Sequence, residues 1–413
     1  PDHRAGGGEV FSDQAIKRPF SRGNENGRGV TGFVFLSQGR DFMNINDFPI
    51  PHIPSKLPIA DVVSKILTDA DFMRLTFRAT SQLSEFIGYL QNLPNPSILI
   101  SALTLQESVL SSRIEGTLAT ISDVVRDDTD SKTLKDDIVE IENYVKAIDF
   151  GSDELVDREY RISKNLICTL HAILLTNNVR GVNKSPGSFK TEQNYIRNDI
   201  LGNFTPLPPY LTDEYIENLT EYLNSTHEVS PLIQAAIMHA QFEMIHPFKD
   251  GNGRVGRLLI PLFLFSQKAI PFPTFYISRY FAEYDTKYKK CLFDISKTVP
   301  NDSVMLTNTW KQWLTFFMNG VIRESANHIE TSKKIIALYD TMRQSLRRTD
   351  QYPIVDYFFD NLRLEPKEFL KEHSISRSTV YSTLHTLEEN EYIVRTGSER
   401  KSKYVFQKLV DIM

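Results

Sequence analysis

The stretch from His246 to Arg257, His-Pro-Phe-Lys-Asp-Gly-Asn-Gly-Arg-Val-Gly-Arg, gathers a base, a carboxylate, an amide between glycines and two guanidiniums. Each of these groups suits a phosphate-like anion. Gly251 and Gly253 let the backbone approach a ligand with no Cβ in the way. A run of N–H groups in such a turn forms a nest for negative charge, and a helix starting there adds its dipole. The candidate cradle therefore runs through Gly251, Asn252, Gly253, Val255 and Gly256, and the Asn252 side chain can offer a further N–H. Asp250 is a hard oxygen ligand of the kind Mg²⁺ takes together with substrate phosphates. Arg254 and Arg257 lie three apart, on one side of a helix, and can fork onto more phosphate oxygens. His246 has the side chain whose ordinary pKa makes it a ready base near neutrality.

Two helices must hold this turn. Before it, Ile233, Ala236, Ile237, Ala240 and Met244 recur at helical spacing, and after it Val255, Leu258, Leu259 and Leu262 do the same. The polar residues thus collect at the joint of a helix-loop-helix. A structural turn has no use for base, acid, amide and two guanidiniums together, so the joint spacing points to chemistry.

With these residues in view, the chain resembles the Fic family, whose signature His-x-Phe-x-Asp/Glu-Gly-Asn-Gly-Arg-x-x-Arg it matches at every defined position. The likeness extends to Leu170-His171 and to Pro186-Gly-Ser-Phe-Lys190, where the family's β-hairpin flap begins. It continues through Pro206-Leu-Pro-Pro209 and the aromatic helix around Trp310, Trp313, Phe316 and Phe317, so that it covers roughly residues 45 to 330. The resemblance implies a mainly α fold, a Fic-type helical bundle with a β-hairpin flap over about 188–204. It also implies a nucleotidyltransferase that moves AMP from ATP to a Ser, Thr or Tyr hydroxyl of a target protein or of itself. In that scheme His246 takes the hydroxyl proton and Asp250 holds Mg²⁺. The 251–253 amides stabilise the α-phosphate, and Arg254 and Arg257 neutralise pyrophosphate. Phe189 and Lys190 belong to the target-binding flap, although relatives commonly carry Arg where Lys190 stands. Tyr288 corresponds to an adenine contact, with Lys289 in place of the second Tyr that relatives often show.

A second motif, Ser111-Ser-Arg-Ile-Glu-Gly116, resembles the family's inhibitory helix. Ser111 and Glu115 are four apart and share a helix face, and Gly116 is the residue expected in a left-handed cap. Glu115 then sits at the negative end of a helix dipole and calls for a cation. The resemblance names Arg257 as that cation, which would keep it from ATP. The same carboxylate could orient a water for removing AMP from a target, and spacing does not separate the two roles.

At 413 residues the chain exceeds one core, and its 41% hydrophobic and 24% charged content is that of a globular protein. A net charge of -5 argues against general attraction to nucleic acid. Cys168 and Cys291 read as free thiols of a reducing cytoplasm. No leader opens the chain, and the apolar run Leu258 to Phe265, broken by Pro261, is too short to span a bilayer, so no membrane partner is expected.

Composition and periodicity together with the resemblance imply four segments: a flexible 1–44, a helical 45–150 carrying the inhibitory helix, a Fic catalytic core 151–330, and 331–413. Within them, helices are expected over 59–108 with a break at 93–96, over 117–148 with an end near Gly151, and over 212–225, 231–266 and 310–348. Pro261 should kink its helix at a cost of ~3 kcal/mol. The last segment resembles a linker helix and a winged helix-turn-helix, as Fic proteins of this type often carry. Ser376 caps its second helix, which presents Arg377, Ser378 and Tyr381, while Arg395, Arg400, Lys401 and Lys403 lie on the wing. Two functions from different classes therefore compete. One is an autoinhibited AMP transferase, with ATP, Mg²⁺ and a hydroxyl-bearing protein as partners. The other is a DNA-binding regulator whose Fic domain senses nucleotide. Transfer of another phosphate-containing group and assembly as a homodimer stay open.

Overall fold

The computed structural model describes residues 33–35, 42–44, 47–92, 95–126, 131–177, 183–227, 229–298, 302–397 and 402–413. Residues 1–32, expected to be flexible, lie outside these, as do Arg400 and Lys401. The chain divides into the units 1–48 and 49–413. In the first, Phe33–Phe35 (β1) and Phe42–Asn44 (β2) pair antiparallel, with Val34 opposite Met43.

The second unit is built from helices. The N-terminal group is Ala60–Leu67 (α1), Ala70–Gln91 (α2), Ser97–Ile114 (α3), Ile121–Arg126 (α4), Lys132–Asp157 (α5) and Lys164–Leu174 (α6). Next come Thr212–Asn224 (α7), Pro231–Ile245 (α8), Asn252–Ser266 (α9), Ser278–Glu283 (α10), Asp285–Ser296 (α11) and Ser303–Gln344 (α12). The starts are written in capping chemistry: Asp69, Ser131, Ser163, Ser230 and Asp302 each accept a hydrogen bond from the backbone of the first turn.

At the centre, α8 and α9 pack on each other and are buried on nearly every residue. A helix apolar all round can only be an inner one. Trp313 of α12 is fully buried, and its indole N–H donates to Ala236 O at 2.9 Å, in the middle of α8. Helix α9 runs through Pro261 without a break.

Helix α3 is buried too, yet it carries polar side chains, which are expected to find partners inside, and most do. Thr104 pairs with the Tyr276 hydroxyl at 2.8 Å, Glu107 accepts from Tyr144 Oη at 3.2 Å and from Ser278, and Ser111 accepts from Arg257. This buried polar stripe sets the rotation of the helix that ends beside the phosphate turn.

Several expectations need revision. The helix expected to end near Gly151 continues to Asp157, because Gly151 packs against Leu262 in the core and is not a cap. Helix α12 begins at Ser303 and runs unbroken to Gln344. The expected segment boundaries at 150 and 330 fall inside α5 and α12. The flap contains no paired strands: Ile196 and Phe204 exchange two backbone bonds, and that single antiparallel bridge is all. Asn198 diverts the ladder, since its side chain accepts the N–H groups of Ile200 and Leu201 at 3.0 and 2.8 Å.

The C-terminal part comprises Tyr352–Asn361 (α13), Arg363–Leu364 (β3), Pro366–Glu372 (α14), Arg377–Glu389 (α15), Val394–Thr396 (β4), Lys403–Val405 (β5) and Gln407–Val410 (α16). Strands order β3-β5-β4, all antiparallel, with Arg395 opposite Tyr404. Helices α14 and α15 with the β4–β5 pair form a helix-turn-helix and wing, as expected; β3 is an addition. Helix α13 packs against α3, and Gln106 of α3 donates to the Met413 carbonyl.

Replacing Trp313 with Ala removes the indole that fills the space between α12 and α8. Urea denaturation should show a loss of about 3–5 kcal/mol; a loss under about 1 kcal/mol would mean that the two helices are held by other contacts.

Candidate active site

Helix α8 ends at Ile245 without a glycine. His246 itself takes the left-handed conformation, φ 49° and ψ 60°, while its N–H still bonds to Phe242 O. That geometry is costly for a residue with a Cβ and recurs at functional sites. Pro247 then prevents any return to helix. The loop closes through Asn252, whose Oδ1 accepts the Phe248 N–H and whose Nδ2 donates to Phe248 O, both at 2.8 Å. Asn252 is therefore a buried clasp of the loop, and its side chain does not reach out to a phosphate as expected. Gly251 starts α9 at φ 75°, and its N–H bonds to Asp250 Oδ1 at 2.7 Å.

His171 of α6 supports the loop from below. Its ring stacks on Phe248 at 3.7 Å and 8°. Nδ1 accepts the Gly187 N–H at 2.9 Å, so Nε2 carries the proton and donates to Asp250 O at 3.0 Å. Burial pushes its pKa down to about 4, so both bonds persist at neutral pH.

The two arginines have different surroundings. Arg257 is buried, with Nε donating to Ser111 Oγ at 2.9 Å and Nη2 to Ser111 O at 3.0 Å and Glu115 Oε1 at 2.8 Å. The carboxylate of Glu115 also presses on α9: a Cβ on Gly253 would stand 2.2 Å from Oε1. Burial acts to raise the Glu115 pKa, but Arg257, with Arg254 and His246, more than offsets it and holds it below the ordinary value. Gly116 follows at φ 93°, the expected left-handed cap.

Arg254 was expected to face the leaving phosphates with Arg257. Instead it is turned into the protein, its Nη1 3.3 Å from Glu140 of α5, with side-chain exposures of 3% and 1%. Glu140 also accepts from the Thr117 hydroxyl at 3.1 Å, and Asp137 accepts the Leu118 N–H at 2.8 Å. Arg254 thus braces the segment that follows Glu115. Val255 and Gly256 do not line the cavity either; the Val255 N–H is spent on Gly251 O and its side chain is in the core.

A cavity of about 320 Å³ opens beside the turn. Glu115, Glu243, His246, Gly253, Arg257 and Tyr288 line one side, while Ile196, Asn198, Leu201 and Phe204 of the flap face them. Ile114, Met244, Leu292 and Phe293 supply apolar wall. Tyr288 lies at this wall with its hydroxyl bonded to His239 Nε2 at 2.8 Å and its ring stacked on Phe281. The imidazole of His246 is largely covered, and the loss of water around it, with Lys190 adding to it, pushes its pKa down to about 3. It is neutral at pH 7.

Lys190 and Phe189 point inward, not to a target. Lys190 Nζ donates to Ile245 O at 2.9 Å at the end of α8, where a cation meets the helix dipole, and Phe189 packs on Phe248. Lys190 N–H bonds to Pro247 O at 2.8 Å, so it holds the turn. Of the flap's large apolar side chains, Ile200 is the one turned outward, 83% exposed.

At the other end of the chain, Arg377, Ser378 and Tyr381 are exposed on α15, with the Arg377 guanidinium 5.4 Å from the Tyr381 ring. Lys403 of the wing is paired with Glu365 at 2.9 Å. Cys168 and Cys291 are free, as expected. Among the described residues no helix is long and apolar enough to cross a membrane, and no cluster of three or more His, Cys, Asp or Glu could hold a metal unaided. Sequence reading missed Glu243, Glu140 and Glu107, since no motif marks a lone buried acid.

Residues 73–153 match the Fic/DOC family N-terminal region and residues 161–264 the Fic/DOC family itself. The chain belongs to the Fic/DOC family. Among curated relatives, protein adenylyltransferase fic-1 of Caenorhabditis elegans is 34% identical over 121 residues, 29% of this chain and 22% of its own length. A probable protein adenylyltransferase of Aquifex aeolicus is 36% identical over 75 residues, 17% of this chain and 23% of its own. The chain thus spans about a fifth of the length of these relatives. The solved structure of a Fic family protein from Desulfovibrio desulfuricans shares the fold at a TM-score of 0.50, 20% identity, 80% of this chain and 95% of that one.

Replacing His171 with Ala removes the ring from Phe248 and leaves the Gly187 N–H and Asp250 carbonyl without their partner. The expected cost is about 1–3 kcal/mol in thermal or chemical unfolding, with faster amide exchange at Gly251. An unchanged exchange rate there would show that the loop holds its shape without this imidazole.

Proposed function

We propose that the chain transfers AMP from ATP to a hydroxyl of a target protein or of itself, and that the arrangement described is its held-back state. The observation that carries this reading is the Glu115 carboxylate seated on Gly253 and paired with Arg257. An anion rests at the N-terminus of α9, where free amides and the helix dipole favour negative charge. A nucleotide phosphate needs the same place and the same guanidinium. Carboxylate and phosphate are therefore alternatives.

With Glu115 withdrawn, Ser111 still orients the Arg257 fork, whose Nη2 is then available to the phosphates. The cavity has the size of a small-ligand pocket, with apolar wall for a base and the flap opposite. The neutral imidazole of His246 accepts the proton of the incoming hydroxyl as its oxygen bonds to the α-phosphorus and the bond to pyrophosphate breaks. The α9 amides meet the charge that develops, as fixed dipoles. Asp250, half-buried at the edge of the loop, fits one carboxylate ligand of a Mg²⁺ whose chemistry would be to neutralise phosphate oxygens.

Labelled ATP with Mg²⁺ tests both halves. Glu115→Gly should raise protein-bound label by roughly 5- to 150-fold, the range of a typical coupling between sites. Adding His246→Ala to that variant should lower it again by about 10²–10⁴-fold with the fold intact. Mass spectrometry should find AMP as the added group; a different mass would redirect the reading to another phosphate donor, and equal label in the two variants would remove AMP transfer as the activity.

A further inference from the structure

One largely covered acid beside the base has no part in the scheme above. Glu243 lies one helical turn before His246 on α8, and its Oε2 is 3.8 Å from the His246 Nδ1. Neither that Nδ1 nor the other carboxyl oxygen, Oε1, has a hydrogen-bond partner, although both atoms are buried. Buried polar atoms are seldom left so, and exceptions concentrate where chemistry is done. The carboxyl also has a made place: a Cβ on Gly256 would stand 2.5 Å from Oε1, so the glycine between the two arginines is what admits it between α8 and α9. It lines the same cavity as His246.

We infer that Glu243 is the positioning residue of His246: its carboxylate takes the imidazole Nδ1–H, leaving bare Nε2 toward the acceptor hydroxyl. The consequence for rate rests on the AMP-transfer reading; the geometry does not. A separation of 3.8 Å is outside bonding reach, but pairs of this kind are often long before substrate arrives and tighten in the reacting complex. In the step itself the hydroxyl proton goes to Nε2, the oxygen bonds to the α-phosphorus, and the bond to pyrophosphate breaks. The ring becomes imidazolium, and its Nδ1–H is held by Glu243, which stays ionised, as in a serine-type triad.

The groups facing this pair are few. Arg257 from α9 favours ionised Glu243, Glu115 opposes it, Tyr288 of α11 feels its charge, and Lys190 faces His246. Burial, against the pull of Arg257, raises the Glu243 carboxyl to about 7. Its ionised form, the one that can accept Nδ1–H, is thus gained as pH rises through neutrality. Below that, the protonated acid donates to Nδ1 and the ring proton moves to Nε2, the wrong nitrogen. The competing partner for Nδ1–H is the Glu243 main-chain carbonyl, which also favours the protonated ring.

The test uses the full chain with ¹⁵N-labelled histidine, His246 being assigned by its loss in His246→Ala. The NMR shifts report which ring nitrogen carries the proton. The wild type should show Nδ1–H at about pH 8 and move toward Nε2–H at about pH 6, and Glu243→Met should abolish that change. Nε2–H in the wild type at the higher pH, or an identical response in Glu243→Met, overturns the inference, the second outcome by assigning the role to the carbonyl. In the Glu115→Gly background, Glu243→Met should lower kcat by about tenfold or more and leave KM for ATP within about threefold. The isosteric Glu243→Gln should recover part of kcat without the acid limb near neutrality. An unchanged kcat, or a loss confined to KM, also overturns it. Absence of label in Glu115→Gly, with the tautomer shift as expected, would count against the AMP-transfer reading alone.

Discussion

A guanidinium with 1% of its side chain exposed has to be neutralised inside the protein, and much of the site follows from how Arg257 meets that demand. The pair is buried on its arginine side only, for the Glu115 side chain is 38% exposed. A guanidinium so enclosed favours an anion beside it, because an uncompensated buried charge is destabilising. Ser111 binds Nε and Nη2 without supplying charge, so it orients the fork while leaving the charge to be answered by Glu115 or by a ligand. Helix α3 is rotated to bring Ser111 and Glu115 to that fork by its own buried polar contacts, Thr104 with Tyr276 and Glu107 with Tyr144. The chain of cause runs from those side chains to the place of the Glu115 carboxylate beside Gly253.

The rest of the turn is built to stay still. His246 in a left-handed conformation, the Asn252 ring around Phe248, the His171 stack and the Lys190 cap on Ile245 each fix a different atom of the loop. Several of these are charged or polar groups whose burial keeps them neutral or pushes them toward neutrality, so they act as rigid donors and acceptors. The segment after Glu115 is tied to α5 by the Thr117 hydroxyl on Glu140 and the Leu118 N–H on Asp137.

Periodicity made the two central helices and the polar turn readable, because the 3.6-residue pattern and the Gly-Asn-Gly break are local signals. That Ser111 and Glu115 share a face was readable too, from their four-residue spacing, while Arg257 as the partner of Glu115 came from the family resemblance. What escaped was decided at long range. Arg254 shares a helix side with Arg257, yet its partner is Glu140, more than a hundred positions away, and no local rule selects a cavity-facing neighbour over a buried one. Asn252 looked like a free amide because sequence does not show that Phe248 would fold back onto it. The expected hairpin reduced to one bridge because Asn198 spent its side chain on the local turn. Gly151 was read as a stop when packing against Leu262 had already made it part of the core.

Helix α12 is continuous from Ser303 to Gln344, a rod on the order of 60 Å at 1.5 Å per residue. Its far end is joined by a short turn, Thr349–Gln351, to α13, which lies against α3, the helix that ends at Glu115 beside the arginine. Under the proposed reading, the C-terminal module therefore rests on the same helix that carries the restraining carboxylate.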